Sequence, residues 1–96
     1  MALFDSTAYT QAIVVLQQVI VQYPDTPSEA AARCNVGVAY QIMSDHRKAA
    51  LVYRDAVRAL RERDEEWRAL AFARENLEWI AENVLFTPIE DVLASP

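Results

Sequence analysis

The chain of 96 residues has few of the residue types on which several common kinds of site depend. Its single glycine, Gly37, excludes Gly-rich phosphate loops and dinucleotide-binding fingerprints, because both require several glycines. Its single cysteine, Cys34, excludes an internal disulfide and a multi-cysteine zinc site, and it is typical of a reducing compartment. The composition, 53% apolar and 24% charged, is that of a globular protein. We therefore expect one domain over residues 1–96, with no cofactor and no metal.

Charge is absent from residues 6–24, although the formal net charge of the chain is −5. The glutamines of this stretch and Pro24 argue against a membrane span. The overall acidity argues against nucleic acid as a partner, because phosphate contacts require an excess of lysine and arginine. Residues 1–5 lack the basic and apolar segments of a secretory signal. These features predict a cytoplasmic protein that binds neither a membrane nor nucleic acid.

The spacing of apolar residues predicts an all-α fold. About four helices and a short fifth one are expected, at about residues 7–23, 27–43, 46–63, 64–86 and 88–93. The second begins at Thr26-Pro27-Ser28-Glu29, which combines a capping hydroxyl, a proline in the first turn and a glutamate three residues after the cap. Thr87-Pro88-Ile89-Glu90 has the same pattern, and Asp45 is placed to cap the third helix.

Residues 33–63 carry small and aromatic residues at a spacing known from a helical repeat. The positions concerned are Val36, Gly37, Tyr40, Ala49 and Tyr53. In this spacing the chain resembles the tetratricopeptide repeat (TPR) family, whose 34-residue unit is a pair of antiparallel helices. In such a pair, small residues let two backbones approach and aromatic rings fill the remaining space. Three positions depart from the family pattern, because Arg33, Ser44 and Arg61 replace the usual tryptophan, glycine and proline.

The resemblance extends to both sides of this repeat and implies a TPR-like antiparallel helix array. Ala12 and Pro24 resemble the second half of a preceding repeat, whereas Trp67 and Leu70 resemble the first helix of a following one. We therefore expect a half repeat (7–24), a complete repeat (30–63), a capping helix (64–86) and a tail (87–96).

In TPR proteins the first helix of each repeat lines a groove that holds partner peptides, and the resemblance implies such a groove here. Its partner-binding residues would be Asn35, Val38, Gln41, Ile42, Arg68, Phe72, Asn76 and Trp79. The resemblance thus implies a non-catalytic interaction module, an adaptor or scaffold with a protein or peptide partner. An alternative is a self-assembling structural protein whose helical surfaces mainly serve homo-oligomerisation.

Two apolar surfaces have no evident neighbour within the chain. Phe72, Trp79 and Phe86 recur every seven residues and form an aromatic stripe on the fourth helix, which either the tail or a partner covers. On the uncharged first helix, Val14 and Val21 lie among glutamines. Because helices that end a repeat array usually present a polar outer face, we expect Val14 and Val21 to contact a second chain in a homodimer or other homo-oligomer.

The titratable residues do not form an evident catalytic set. Cys34 and His46 are the candidates for a nucleophile and a base, but they fall on different predicted helices with no third residue to orient the histidine. The basic residues of the third helix allow an acidic-peptide site, but Arg58–Glu62 and Arg61–Glu65 at i,i+4 spacing favour a solvated, ion-paired face. The sequence therefore predicts a protein without enzymatic activity.

Overall fold

Five α-helices make up the fold in a computed structural model that describes residues 6–96. The helices are α1 (Ser6–Gln22), α2 (Pro27–Ile42), α3 (His46–Leu60), α4 (Trp67–Ile80) and α5 (Ile89–Ala94). The described residues contain no β-strand, so the predicted all-α fold is confirmed. Residues 1–5, over which the sequence predicts no secretory signal, lie outside the described residues.

Helices α1 to α4 pack in chain order, each against the next, and α2 also touches α4. The connections between them are short, so neighbouring helices run antiparallel. Helix α5 packs on α3 and on the segment that joins it to α4. The α2–α3 pair is therefore the centre of the array, with α1 laid on α2 and α5 laid on α3.

Two apolar clusters hold this array together, and α2 contributes to both. The smaller one joins α1 to α2 through Ile13, Val36 and Ala39. The larger one joins α2 to the three later helices, and its bulkier buried members are Tyr53, Val57, Leu77, Ile80, Ile89 and Val92. Because Ile13 is the one buried side chain of Ser6–Gln22, α1 adds little to the interior of the molecule.

Gly37 lets α2 and α3 approach closely. A Cβ atom at this position would lie 2.5 Å from Cε1 and Cζ of Tyr53, far inside van der Waals contact. The Tyr53 side chain is fully buried, so the ring has little room to move away. Gly37 and Tyr53 thus make the close helix contact that their spacing predicts.

A cap and a buried ion cluster fix the start of α2. As predicted, Thr26 Oγ1 accepts a hydrogen bond from the backbone N–H of Glu29, at 3.2 Å. The Glu29 carboxylate accepts from the backbone N–H of Asp25 at 2.6 Å and from Arg33 Nε at 2.5 Å. It also accepts from Arg63 Nη1 at 3.1 Å, which ties α2 to the turn after α3.

This ion cluster determines the ionisation of Glu29. Burial raises the pKa of the carboxyl group, because the charged form loses solvation. Hydrogen bonds from the Arg33 side chain and the Asp25 backbone oppose this effect, as do the charges of Arg33 and Arg63. Together they lower the pKa of Glu29 below its ordinary value, so the carboxylate is ionised at neutral pH.

The third helix is shorter than predicted. Helix α3 ends at Leu60, whereas the sequence predicts an end near Arg63. The backbone N–H of Arg63 donates to the Leu60 carbonyl at 2.9 Å and closes a turn. The Arg63 side chain also reaches back to Glu29 and to the Thr26 carbonyl, at 3.1 Å for both oxygens. These contacts hold Arg63 in the turn and account for the earlier end.

The predicted fourth helix, residues 64–86, divides into three segments. Asp64–Glu66 is a short 3-10 turn, Trp67–Ile80 is the α-helix and Ala81–Leu85 is π-helical. Phe86 then adopts a left-handed conformation with φ of 51°. Pro88 follows two residues later, where it prevents any continuation of the helix.

The prediction that Thr87 caps the last helix is wrong. Thr87 Oγ1 donates to the Leu85 carbonyl at 3.0 Å, so it does not accept a hydrogen bond from the helix. Helix α5 therefore begins at Ile89 without a side-chain cap. The threonine–proline–glutamate pattern thus marks a helix start at two places in the sequence but caps only the first of them.

The basic residues of α3 hold the last helix in place. Arg58 Nη2 donates to the carbonyls of Leu93 at 2.6 Å and Ser95 at 2.5 Å. Arg54 is buried and donates from Nη1 to the Pro96 carbonyl at 2.6 Å. Carbonyl groups at a helix end lack partners within the helix and attract cations. Within residues 6–96 the predicted Arg58–Glu62 and Arg61–Glu65 ion pairs are not formed; on this helix Arg54 pairs with Asp55 at 3.2 Å and Lys48 with Asp45 at 3.8 Å instead.

Candidate functional site

A shallow groove of about 280 Å³ runs between α2 and α4. Three of the predicted partner-binding residues, Asn35, Arg68 and Phe72, lie in it together. Helical geometry explains their alignment, because Phe72 follows Arg68 by four residues and so lies one turn along the same face. The other lining residues are Ala31, Cys34 and Ala69.

The floor of the groove is apolar. Cys34 is buried, and its S–H group donates to the Ala69 carbonyl at 3.4 Å. Burial raises the pKa of the Cys34 thiol to about 11. The thiol is therefore protonated at neutral pH and packs as a small apolar group rather than acting as a nucleophile.

Phe72 forms one wall of the groove and is supported from below. Its side chain is 41% exposed, and its ring meets the Tyr53 ring edge-on with the centroids 6.3 Å apart. The Tyr53 hydroxyl donates to Gln41 Oε1 at 2.5 Å. Burial, and secondarily the neighbouring Cys34, raises the pKa of Tyr53, so the hydroxyl keeps its proton. Tyr53 therefore fixes both Phe72 and Gln41.

Arg68 provides positive charge at the rim. Its guanidinium carbon lies 5.0 Å from the centroid of the Trp67 ring, within range of a cation–π interaction. Both side chains are exposed. The stacking limits the motion of Arg68 and leaves its N–H donors available for an anionic or carbonyl group of a ligand.

The remaining predicted residues lie outside this groove. On α2, Val38 is half-buried and Ile42 is exposed. On α4, Asn76 Nδ2 donates to the Phe72 carbonyl at 2.8 Å, so its amide is engaged by its own helix. Trp79 lies beside His46 at the start of α3, with the ring centroids 6.1 Å apart.

The tail does not cover the aromatic stripe. Trp79 is 50% exposed and Phe86 is 83% exposed. Ile89 and Val92 of α5 are buried in the larger core, against the inner face of the array. The sequence leaves open whether the tail or a partner covers the aromatic stripe, and the structure excludes the tail.

Two alanines complete the groove and are not among the predicted partner-binding residues. Ala31 precedes Asn35 by one helical turn, and Ala69 follows Arg68 directly. Helical spacing places Ala31 on the groove face, but alanine has no chemistry that distinguishes it from an ordinary packing residue. Their small side chains leave the space in which a ligand can approach Asn35 and Phe72.

The outer face of α1 is a second exposed apolar surface. Val14 is 52% exposed and Val21 is 78% exposed. Both side chains thus lie at the surface, as the predicted self-association requires. No helix within residues 6–96 combines the length and the apolar character that crossing a membrane requires.

Within the described residues, no three histidine, cysteine, aspartate or glutamate side chains are grouped in a way that could hold a metal ion. No family model, curated protein or solved structure matches the chain. Function is therefore inferred from the geometry of the two surfaces.

Proposed function

We propose that the chain is a non-catalytic interaction module of the TPR type, a cytoplasmic adaptor or scaffold that docks a peptide or helix between α2 and α4. One observation carries the proposal: Asn35, Arg68 and Phe72 come from two helices and line the same groove. An apolar ring, an amide and a cation around one depression are the elements that hold a peptide segment.

Each of these side chains has a distinct role in the proposed complex. Phe72 contacts an apolar side chain of the ligand, and its support by Tyr53 keeps the ring in place before binding. Asn35 has both donors and an acceptor for the ligand backbone. Arg68 attracts a single carboxylate or backbone carbonyl. A ligand with one apolar anchor and one acidic neighbour suits this set better than a strongly acidic tail.

The geometry of the central helix pair supports the TPR assignment. Small Gly37 lies against the buried ring of Tyr53, at the two positions that carry the resemblance. Ser44 stands where the family usually has glycine, and its φ of 61° is the left-handed conformation that favours glycine. In the proposed array α2 and α4 are the first helices of successive repeats, and the contact between these two helices supports that proposal.

Selection of a random peptide library on the full chain tests the proposed function. We expect the selected peptides to share an apolar anchor, and the affinity of the best one to fall at least tenfold, about 1.4 kcal/mol, with Phe72→Ala. Arg68→Glu should produce a similar loss if an acidic neighbour of the anchor is selected. Isothermal titration calorimetry with the synthetic peptide gives these affinities.

Leu51→Ala is the matched control, because Leu51 is exposed on α3 and does not line the groove. Circular dichroism establishes that each variant keeps the helical fold. Equal affinity for the original chain, the groove variants and the control would mean that the α2–α4 groove is not the docking site.

A further inference from the structure

A ridge stands on the outer face of α1. Val14, Gln17 and Val21 line shallow depressions on both of their flanks, and they therefore project from the surface. Val14 and Val21 are seven residues apart, which is two helical turns or about 10.5 Å along the helix. Helix α1 has no charged residue along its whole length.

A groove runs beside this ridge, between α1 and α3, with α2 as its floor. One part, of about 430 Å³, has Ile20, Val36 and Val52 among its lining residues. The other part, of about 490 Å³, includes Ile13 and apolar atoms of neighbouring side chains. Gln17 lines both parts, which places them in line along α1. The floor is thus apolar beside Ile20, whereas beside Ile13 polar side chains such as Ser6 and Thr10 also line it.

Each of the two parts of the groove is lined by one positively and one negatively charged side chain. One part is lined by Arg33 and Asp55, and the other by Asp45 and Lys48. Each part therefore carries no net charge, which suits an uncharged occupant. A charged occupant would lose its solvation without gaining a net opposite charge.

From this arrangement we infer that the occupant is a second copy of the chain, with the α1 ridge of each copy lying in the α1–α3 groove of the other. A two-fold interface requires one patch that is complementary to itself, and a ridge next to a groove on one face fulfils this requirement. Each copy has a formal net charge of −5, so contact through an uncharged helix minimises the repulsion between copies.

The register of this interface follows from the sequence of the ridge. A two-fold axis between Gln17 and Gln18 places Val14 of each copy opposite Val21 of the other. The glutamines then face each other near the axis, where each amide both donates and accepts hydrogen bonds. Because one helix and one groove of each copy form the whole interface, we expect dissociation constants on the order of micromolar.

Sedimentation equilibrium from about 1 μM to about 1 mM tests the proposal. We expect the mass to rise from 10.9 kDa towards twice that value with concentration. Val21→Glu should raise the dissociation constant at least tenfold, because it places a charge at both symmetry-related contacts. The side chain of Val21 is mostly exposed in the single copy, so this variant should keep the helical circular dichroism of the original chain.

Val15→Glu is the control, because Val15 is 58% exposed on the same helix but lines neither the ridge nor the groove. This variant should dimerise like the original chain. A monomer at every concentration overturns the proposal and leaves the ridge to a different protein. A dimer that Val21→Glu leaves intact, or that Val15→Glu disrupts instead, also overturns it.

Crosslinking tests the position of the two-fold axis. Gln17→Cys places a thiol close to the axis, within the separation that a disulfide can span, and should form a covalent dimer with oxidised glutathione. Gln11→Cys should not, because the two copies of residue 11 would lie about 20 Å apart in this register. Cys34 is buried and stays outside the reaction. Covalent dimer from Gln11→Cys alone would contradict the proposed register.

Discussion

Helices α1 and α5 are both laid against the α2–α3 pair, but they are attached in different ways. The six residues of α5 bury Ile89 and Val92, the Leu93 carbonyl accepts hydrogen bonds from Arg58, and Arg54 donates to Pro96 just after the helix. The 17 residues of α1 bury only Ile13. The short helix α5 is therefore held by both buried side chains and hydrogen bonds, while much of the apolar surface of the longer α1 remains exposed to solvent.

This difference shows that helix length and apolar content do not determine how much of a helix the fold encloses. Neighbours that approach from two sides enclose α5, namely α3 and the segment after α4. Helix α1 lies on α2 and leaves the ridge with Val14 and Val21 at the surface. The open face of α1 and the groove between α2 and α4 are thus separate surfaces, and the chain can use them for separate partners.

The largest loss of stability is expected within the α2–α3 pair, against which both α1 and α5 pack. Gly37→Val should lower the free energy of unfolding by about 3 kcal/mol, because the added atoms overlap the buried Tyr53 ring. Urea denaturation followed by circular dichroism measures the change. Ala31→Val, on the exposed face of the same helix, should cost well under about 1 kcal/mol. Similar losses for both variants would mean that the Gly37–Tyr53 contact does not limit the packing.

A smaller loss should distinguish α1 from the rest of the fold. Ile13→Ala removes the one buried side chain of the helix and should cost about 2–3 kcal/mol. In this variant the rate of amide hydrogen exchange should increase mainly within residues 6–22, with little change in α5. Val15→Ala, at an exposed position of α1, should stay within about 0.5 kcal/mol. Equal deprotection of α5 would contradict the separate attachment of the two helices.

The stabilisation that the Glu29 ion cluster provides should depend on pH, whereas the stabilisation from the Arg58 hydrogen bonds should not. The pKa of Glu29 is lowered in the folded state, so its stabilising effect is complete above the unfolded value of 4.5 and is lost as the pH falls through the folded value. At pH 7, Glu29→Gln should cost about 2 kcal/mol, because Arg33 and Arg63 lose their buried partner.

The difference between the original chain and Glu29→Gln should therefore shrink as the pH is lowered below 4.5. Urea denaturation over a series of pH values measures it. Glu62→Gln is the control, since Glu62 is exposed and should leave the stability nearly unchanged. A difference that does not depend on pH would show that the charge of Glu29 is not what stabilises α2.

The smallest of these effects should be confined to α5. Arg58→Ala removes the hydrogen bonds to the Leu93 and Ser95 carbonyls and should cost about 1.5 kcal/mol. Limited proteolysis should then cleave residues 87–96 sooner than in the original chain. Arg61→Ala, at an exposed arginine, should leave the cleavage rate unchanged. Equal rates for all three proteins would mean that Arg58 does not anchor the helix.

The sequence predicts the helices well where a local signal determines them. Asp45 caps α3 through the backbone N–H of Lys48, and Thr26 caps α2. The predictions fail where a distant contact decides the outcome. Arg63 leaves the third helix because Glu29, 34 residues away, holds its side chain. Thr87 is a different case, because a competing local contact, the hydrogen bond from its hydroxyl to the Leu85 carbonyl two residues earlier, replaces the cap.

The candidate groove could be predicted only in part for the same reason. Helical spacing places Asn35 and Val38 on one side of α2, but it cannot say which residues α4 leaves open to a ligand. The amide of Asn76 is engaged by its own helix, and Trp79 lies against His46. The roles of Arg54 and Arg58 depend on where α5 lies, which no local pattern indicates.

Chemical-shift mapping by NMR, on a chain of 10.9 kDa, tests the central claim most directly. Titration with the selected peptide should shift the Asn35 side-chain amide together with the resonances of Arg68 and Phe72. The side-chain amides of Gln17 and Gln18 on α1 should not move. Shifts confined to α1, with Asn35 and Phe72 unaffected, would contradict the assignment of the α2–α4 groove as the docking site.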